Sequence, residues 1–217
     1  EPRAGLRWSF SANQAISLGY GLHSRIQPAY IYYFQSNTSF GPLQQNKGLG
    51  FTKAHHAVLQ YDLTISASTR IRTETYFQYL FDVPVETFPS SYSMLNEGSS
   101  YSRIFPAKLV NAGTGRNYGV ELTLEKFFSK SFFFLFTGSL YDSKYKGSDG
   151  IERNTAFNGR YATNLLAGKE FKLGTNTLLN IGGKLAYQGG KLYTPADPMA
   201  SLAAKDLIDG KVRGRVI

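Results

Sequence analysis

The sequence has no cysteine, so neither disulfides nor thiolate metal sites can hold its fold, and a small secreted cystine scaffold is excluded. It also has no run approaching the roughly 18 apolar residues of a membrane helix. The mean hydropathy of −0.26 would suit a soluble protein. Membrane β-strands would leave the same weak signal, because their apolar residues occupy only alternate positions.

Long stretches rich in Leu, Ala and Glu are scarce, whereas aromatic residues make up 15% of the chain and glycine is plentiful at 22 residues. This composition favours strands and turns and predicts an all-β fold. The 24 Lys and Arg residues outnumber the 15 Asp and Glu residues, giving a net charge of +9. The basic residues are spread along the chain without a dense run, so we expect no nucleic-acid partner.

The stretch TRIRTETYFQYLFD, residues 69–82, separates into two sets when it is read with a period of two. Arg70, Arg72 and Glu74 fall on one side, and Phe77 and Phe81 fall on the other. Such alternation predicts a strand with one wet and one dry face. We expect the dry side to face lipid and the charged side to face water.

Alternation and turn residues predict eight strands. They cover residues 3–11, 15–25, 53–65, 69–81, 117–127, 132–142, 160–170 and 177–189, and no strand is predicted in the last 16 residues. Most exceed ten residues, whereas strands of globular proteins usually have about 5–6 and a tilted bilayer-spanning strand needs about 9–11. The lengths therefore favour strands that cross a membrane.

The predicted connections alternate between short and long. The short ones are SAN, SAS, FSKS and KLGTN, and the long ones cover about 26–52, 82–116, 143–159 and everything after 190. Outer-membrane barrels have short periplasmic turns and long extracellular loops. We therefore predict a portion of an antiparallel transmembrane β-barrel with about eight long strands; the alternative is a soluble sandwich with its polar face outward.

Several blocks resemble a known family. They are SLGYGLHSRIQP (17–28), GFTKAHHAVLQYD (50–62), RTETYFQYLFDVPVE (72–86), NAGTGRNYGVELTLEKFF (111–128), LYDSKYKGSDG (140–150) and RNTAFNGRYATNLLAGKEF (153–171). In this order they resemble the C-terminal half of the barrel of TonB-dependent outer-membrane receptors, in the branch whose plug follows a carboxypeptidase-regulatory-like domain.

The resemblance implies that residues 1–217 are part of one receptor β-barrel domain, which has 22 strands in the family pattern, without the plug domain and the terminal strands. It implies a place in the outer membrane of a Gram-negative bacterium. The implied partners are the inner-membrane TonB complex, reached through an N-terminal segment absent from this sequence, outer-membrane lipid and lipopolysaccharide, and a surface lipoprotein.

The function that the resemblance implies is transport of a scarce ligand such as an iron chelate, a cobalamin or a glycan. On this reading the chain is no enzyme and needs no cofactor. One alternative is a small outer-membrane enzyme, in which Asp62 would pair with His56 or His23. Another is a passive porin or adhesin, for which a barrel alone suffices.

Two groups of residues are candidates for binding the ligand. The aromatic segment YIYYFQ contains Tyr30, Tyr32, Tyr33 and Phe34, which would either extend the second strand above the membrane or form a stacking surface for a sugar or siderophore. The second group, Arg70, Arg72 and Arg116, would attract an anionic ligand.

No metal site is predicted. His55 and His56 are adjacent and point to opposite faces of a strand, so they cannot readily hold one metal together. The segment DSKYKGSDG lacks the spacing of a calcium loop. The glycine-rich segment GTGRNYG, residues 113–119, is predicted to turn the chain into the following strand.

Overall fold

The computed structural model describes residues 1–39, 41–99, 108–193, 199, 202 and 214–215. The main strands are β1 (Arg3–Ser11), β2 (Gln14–Arg25), β5 (Thr52–Ser66), β6 (Thr69–Glu86), β7 (Leu109–Ser129), β8 (Phe132–Lys146), β10 (Tyr161–Lys172) and β11 (Leu178–Gln188). The all-β class is therefore confirmed, and all eight predicted strands are present. Among the described residues, no helix is long and apolar enough to span a membrane.

The eight strands form one antiparallel sheet in which each strand lies beside its neighbour along the chain, in the order β1-β2-β5-β6-β7-β8-β10-β11. Within the described part of the chain β1 and β11 each pair with a single strand, so the sheet is open. The four short connections lie at one end of the sheet, as predicted. At the turn between β7 and β8, Lys130 and Ser131 both have positive φ, 52° and 60°, which is the backbone of a tight two-residue hairpin turn.

At the opposite end, which we call the loop end, three strands are longer than predicted. β6 continues to Glu86 through Pro84, which lies at a shift in the pairing register and so removes no ladder bond from a regular stretch. β7 begins at Leu109, so the prediction that residues 113–119 form a turn is wrong. Glycine is needed there because a Cβ on Gly113 would meet the Val85 side chain.

The predicted long connections contain short elements. The possible extension of the second strand through Tyr30 is wrong, because Ala29–Tyr33 forms a short helix, α1, with Pro28 at its N-cap. Proline cannot donate to a strand ladder but suits a helix start. The remaining elements are β3 (Ser36–Thr38) paired with β4 (Gly41–Leu43), a 3-10 helix (Met94–Asn96), β9 (Glu152–Asn154) beside β8, and β12 (Leu192–Tyr193) paired with β13 (Gly214–Arg215). The last pair corrects the prediction that no strand follows residue 201.

Pairing register places most apolar side chains of the eight strands on one face of the sheet, while Leu80, Phe133, Leu135 and Leu166 lie on the other. Exposed members of this apolar face are Leu6, Trp8, Ile16, Leu18, Tyr20, Leu59, Phe77, Tyr79, Tyr118, Val120, Leu122, Leu140, Leu165, Ile181, Leu185 and Tyr187. Arg70, Arg72 and Glu74 lie on the other, polar face, as predicted.

The buried core lies at the loop end rather than behind the sheet. Its apolar members there are Ile31, Val83, Val85, Leu109, Tyr145 and Ala156. In the described residues, the only sheets besides the main one are the two short two-stranded pairs. A soluble sandwich would cover the apolar face with a second sheet. The described residues supply no such layer, which leaves the apolar face bare.

Candidate functional site

The apolar face ends in an aromatic row at the loop end. Tyr20 Oη lies 2.7 Å from His55 Nδ1, and the His55 ring stacks on Phe81 with 5.1 Å between centroids. At the other side of the sheet Tyr161 and Tyr187 pack with centroids 5.4 Å apart. Tyrosine and histidine combine an apolar ring with a polar tip, so this row suits a boundary between an apolar layer and water.

A second aromatic row lies at the short-turn end. Trp8 and Phe10 are 5.4 Å apart, Phe132 and Phe134 are 5.8 Å apart, and Lys169 Nζ lies 5.0 Å from the centre of the Phe171 ring. A lysine over an aromatic ring at the edge of an apolar band can reach water while its stem stays in the band.

The spacing of the two rows can be worked out along β10. Tyr161 and Phe171 share the apolar face and are ten residues apart, which is about 33 Å along a strand and about 25 Å along the axis of a barrel whose strands tilt about 40°. Eight strands about 4.8 Å apart make the face about 34 Å wide. Over its length of about 33 Å along the strands, the face has an area of about 1,100 Å², which exceeds the largest apolar patch of a typical soluble monomer, about 300–600 Å².

On the polar face, the short-turn end carries a charged network. Asp62 accepts hydrogen bonds from Arg7 and Arg72, both at 2.9 Å, and from Gln60 at 2.8 Å. Because its carboxylate is held by these three groups, Asp62 is not paired with His56 or His23 as the enzyme alternative required.

Nearer the loop end, a row of polar side chains is hydrogen-bonded across β8, β7 and β6, starting from Thr155, which follows β9. The Thr155 hydroxyl donates to the Ser143 hydroxyl at 2.8 Å, and the Ser143 hydroxyl donates to Asn117 Oδ1 at 2.7 Å. The Asn117 side-chain amide then donates to Gln78 Oε1 at 2.7 Å. The register brings His56 opposite Gln78 on the next strand. We call Ser143, Asn117 and Gln78 the polar row.

The two histidines on this face lie beside the polar row. The rings of His23 and His56 are 6.0 Å apart, and the His56 ring meets Tyr76 edge to face at 6.3 Å. His55 lies on the apolar face with Tyr20, so the predicted separation of His55 from His56 is confirmed. No group of three potential metal ligands occurs among the described residues.

The segment 87–99 folds over the polar face at the loop end and forms a roof. Tyr145 donates to the Ser91 carbonyl at 3.0 Å, and Ser148 donates to the Phe88 carbonyl at 2.5 Å. The Leu95 side chain packs where a Cβ on Gly115 would lie, so glycine makes room for the roof. Burial of Tyr92 within this segment raises the pKa of its phenol, and nearby Glu97 adds to the shift.

Two adjoining cavities lie on the polar face at this end. One, of about 530 Å³, lies against the roof and is lined by His23, Gln78, Leu95 and Phe157 among others. The other, of about 420 Å³, lies over the polar row and shares Gln78 and Phe157 with the first. Each volume is in the range of small-molecule sites, about 300–1,000 Å³. We take these two cavities together as the candidate site and call them the polar cavity.

The aromatic candidates predicted from sequence do not line this cavity. Tyr30 donates to Glu97 at 2.5 Å, and the Tyr32 hydroxyl accepts from the Gln27 backbone at 3.4 Å, so both fasten α1 to its surroundings. Tyr33 is exposed to solvent, and Phe34 is half-buried. The packing interpretation therefore describes Tyr30 and Tyr32 better than a stacking surface does.

The arginine candidates lie in two other places. Arg70 pairs with Glu125 at 2.7 Å and Arg72 with Asp62, both at the short-turn end. Arg116 pairs with Glu152 at 2.7 Å on the apolar side of β7, where it lies opposite Tyr79 and level with the aromatic row. The seven candidate residues therefore do not form one site.

The polar row is not among the residues predicted from sequence to bind a ligand. Gln78 and Asn117 occupy polar-face positions of predicted strands, so alternation alone could have marked them as lining residues, whereas Ser143 lies one residue beyond the predicted end of its strand. Only the pairing register shows that they lie side by side. No family model matches the chain, and no curated protein matches it at a significant level.

Proposed function

We propose that the chain is a portion of the barrel of a TonB-dependent outer-membrane receptor that imports a scarce ligand, with its apolar face in lipid and its polar face lining the lumen. The observation that carries the proposal is the bare apolar face between two aromatic rows that are ten residues apart on β10. At the strand tilt of a membrane barrel, this spacing would suit an apolar band about 25 Å high. A sheet with this face in water would expose too large an apolar patch to stay soluble.

The polar face supports the same proposal. Its charged network at the short-turn end and its polar row near the loop end suit a water-filled interior, where charges are tolerated. The open edges of β1 and β11 would pair with further strands of a 22-stranded barrel, because an open sheet edge is not stable in a membrane. In this arrangement the polar cavity lies beneath the extracellular loops, where a ligand arriving from outside would first be held.

Cell fractionation and uptake test the proposal. The native protein that carries this sequence should be recovered from outer membranes with detergent, with an intact mass well above 24.1 kDa and with peptides on both sides of the sequence. Uptake of its ligand should stop when a protonophore collapses the inner-membrane proton gradient. Recovery of a folded, monomeric 24.1 kDa species from the soluble fraction would contradict the proposal.

A further inference from the structure

The polar cavity has aromatic side chains in its lining next to the polar row. Tyr76, Tyr141 and Phe157 line the part of the cavity over the row. The Tyr76 ring is set in place by Gly119, where a Cβ would lie 2.9 Å from the Tyr76 hydroxyl oxygen. Such rings provide apolar faces for stacking and, in tyrosine, a hydroxyl for hydrogen bonding.

The polar row has unused hydrogen-bonding capacity. An amide group has two N–H donors and a carbonyl acceptor. In the side chains of the polar row, Gln78 Oε1 accepts from the Asn117 amide, and Asn117 Oδ1 accepts from the Ser143 hydroxyl. Within the part of the chain that the structure describes, neither N–H bond of Gln78 and only one of Asn117 is donated to another residue. The remaining three can donate to a ligand, and their directions are set by the bonds along the row.

The charge of this part of the cavity is opposite to that of the chain. Glu74 and Glu121 face each other in the register of β6 and β7 and both line the part of the cavity over the polar row, where no described Lys or Arg is a lining residue. Arg25 and Lys53 line the adjoining part against the roof, and Lys191 Nζ lies 5.5 Å from the centre of the Phe157 ring. In a chain of net charge +9 the two carboxylates over the polar row are a local reversal of sign. Carboxylates accept strong hydrogen bonds from hydroxyl groups and repel anions at close range.

We infer that the ligand held over the polar row is a saccharide, which means an uncharged ligand rich in hydroxyl groups. Its ring faces would stack on Tyr76, Tyr141 and Phe157, its hydroxyl oxygens would accept from Gln78 and Asn117, and its hydroxyl protons would go to Glu74 and Glu121. This inference rests on the proposed function, because it names the class of ligand for the same site. It disfavours anionic iron chelates at this place.

The test uses the full native chain in detergent and three neutral probes: maltohexaose, laminarihexaose and xylohexaose. Binding is followed by saturation-transfer NMR and isothermal titration. At least one probe should bind, and Gln78→Ala and Asn117→Ala should each weaken it at least tenfold. The matched control is Asn164→Ala, which removes an amide from the same face outside the cavity and should change affinity less than twofold.

A folded barrel changes its mobility on electrophoresis when it is heated, and a variant without this change has not folded. Such a variant is replaced by Gln78→Glu or Asn117→Asp, which keep the side-chain size. These variants should also weaken binding at least tenfold. The inference is overturned if none of the three probes binds, or if binding is unchanged in the two row variants. It is also overturned if ferric citrate or choline binds over the polar row in their place.

The outcomes separate this inference from the proposed function. Energy-dependent uptake of ferric citrate by a protein located in the outer membrane would support the receptor proposal and overturn the saccharide inference. Absence of the protein from outer membranes would overturn the receptor proposal whatever the probes show.

Discussion

A lysine at position 165 would test which solvent the apolar face meets. Leu165 lies on β10 between Phe136 and Leu185, four residues from Tyr161 and therefore near the middle of the apolar band. A lysine on the lipid face at the bilayer midplane costs about 2–4 kcal/mol. The Leu165→Lys variant should lose this much free energy of unfolding, a factor of about 30–900 in the folding equilibrium.

The matched control is Asn164→Lys, one residue away on the polar face and paired with Thr137 and Ala186. Its lysine would lie in the lumen and should cost less than about 1 kcal/mol, since surface substitutions usually change stability by about 0.5 kcal/mol or less. Both are measured by urea unfolding of the native protein folded into phosphatidylcholine vesicles. Equal losses in the two variants would refute the assignment of the faces.

Three further predictions concern other parts of the chain. Asp62→Ala leaves two partly exposed arginines unpaired and should lower the unfolding free energy by about 1–2 kcal/mol in the same assay; no loss would contradict the network. Gly189→Ala should lower the melting temperature, because a Cβ there would overlap the Gly159 carbonyl, and an unchanged value would contradict that packing. Hydrogen bonds from Arg153 lower the pKa of the Asp149 carboxyl below its ordinary 3.8. The stability that this pair gives its loop is therefore complete above about pH 4 and lost as the pH falls through the lowered pKa. Corrected hydrogen-exchange protection at Ile151, whose N–H donates to Asp149 at 3.1 Å, should fall in that window by under about 1 kcal/mol because the pair is partly exposed. In Arg153→Gln the fall should begin at a higher pH, because the pKa of Asp149 is then lowered by the Ile151 N–H without the guanidinium; an unchanged midpoint would contradict the pair.

The strands could be predicted because their signal is local. In β6 the alternation of Arg70, Arg72 and Glu74 with apolar residues identifies both the strand and its faces without knowledge of its neighbours. The strand ends at the loop side could not be predicted from the same signal. Proline and glycine are typical of turns, yet both occur inside strands here. Pro84 is tolerated because it lies at a register shift, and Gly113 is needed because the Val85 side chain packs against it.

The candidate site could not be predicted for a related reason. Gln78 and Asn117 are 39 residues apart in sequence, and Asn117 and Ser143 are 26 apart, so their contact depends on the pairing register and not on any local pattern. The aromatic segment at Tyr30 was more conspicuous in sequence. In the structure the Tyr30 hydroxyl donates to Glu97, so the segment is part of the loop packing.

The most direct test of the account is a spin-label scan along β10, Tyr161–Lys172. The absence of cysteine from this sequence allows single cysteines to be placed one at a time in the native protein in lipid vesicles, provided that any cysteine elsewhere in the native chain is first replaced. Labels at 163, 165 and 167 should be relaxed by oxygen, which concentrates in lipid, and labels at 162, 164 and 166 by a water-soluble nickel chelate. Alternation with this phase is the predicted result; nickel access at every position would contradict the claim that one face of the sheet lies in lipid.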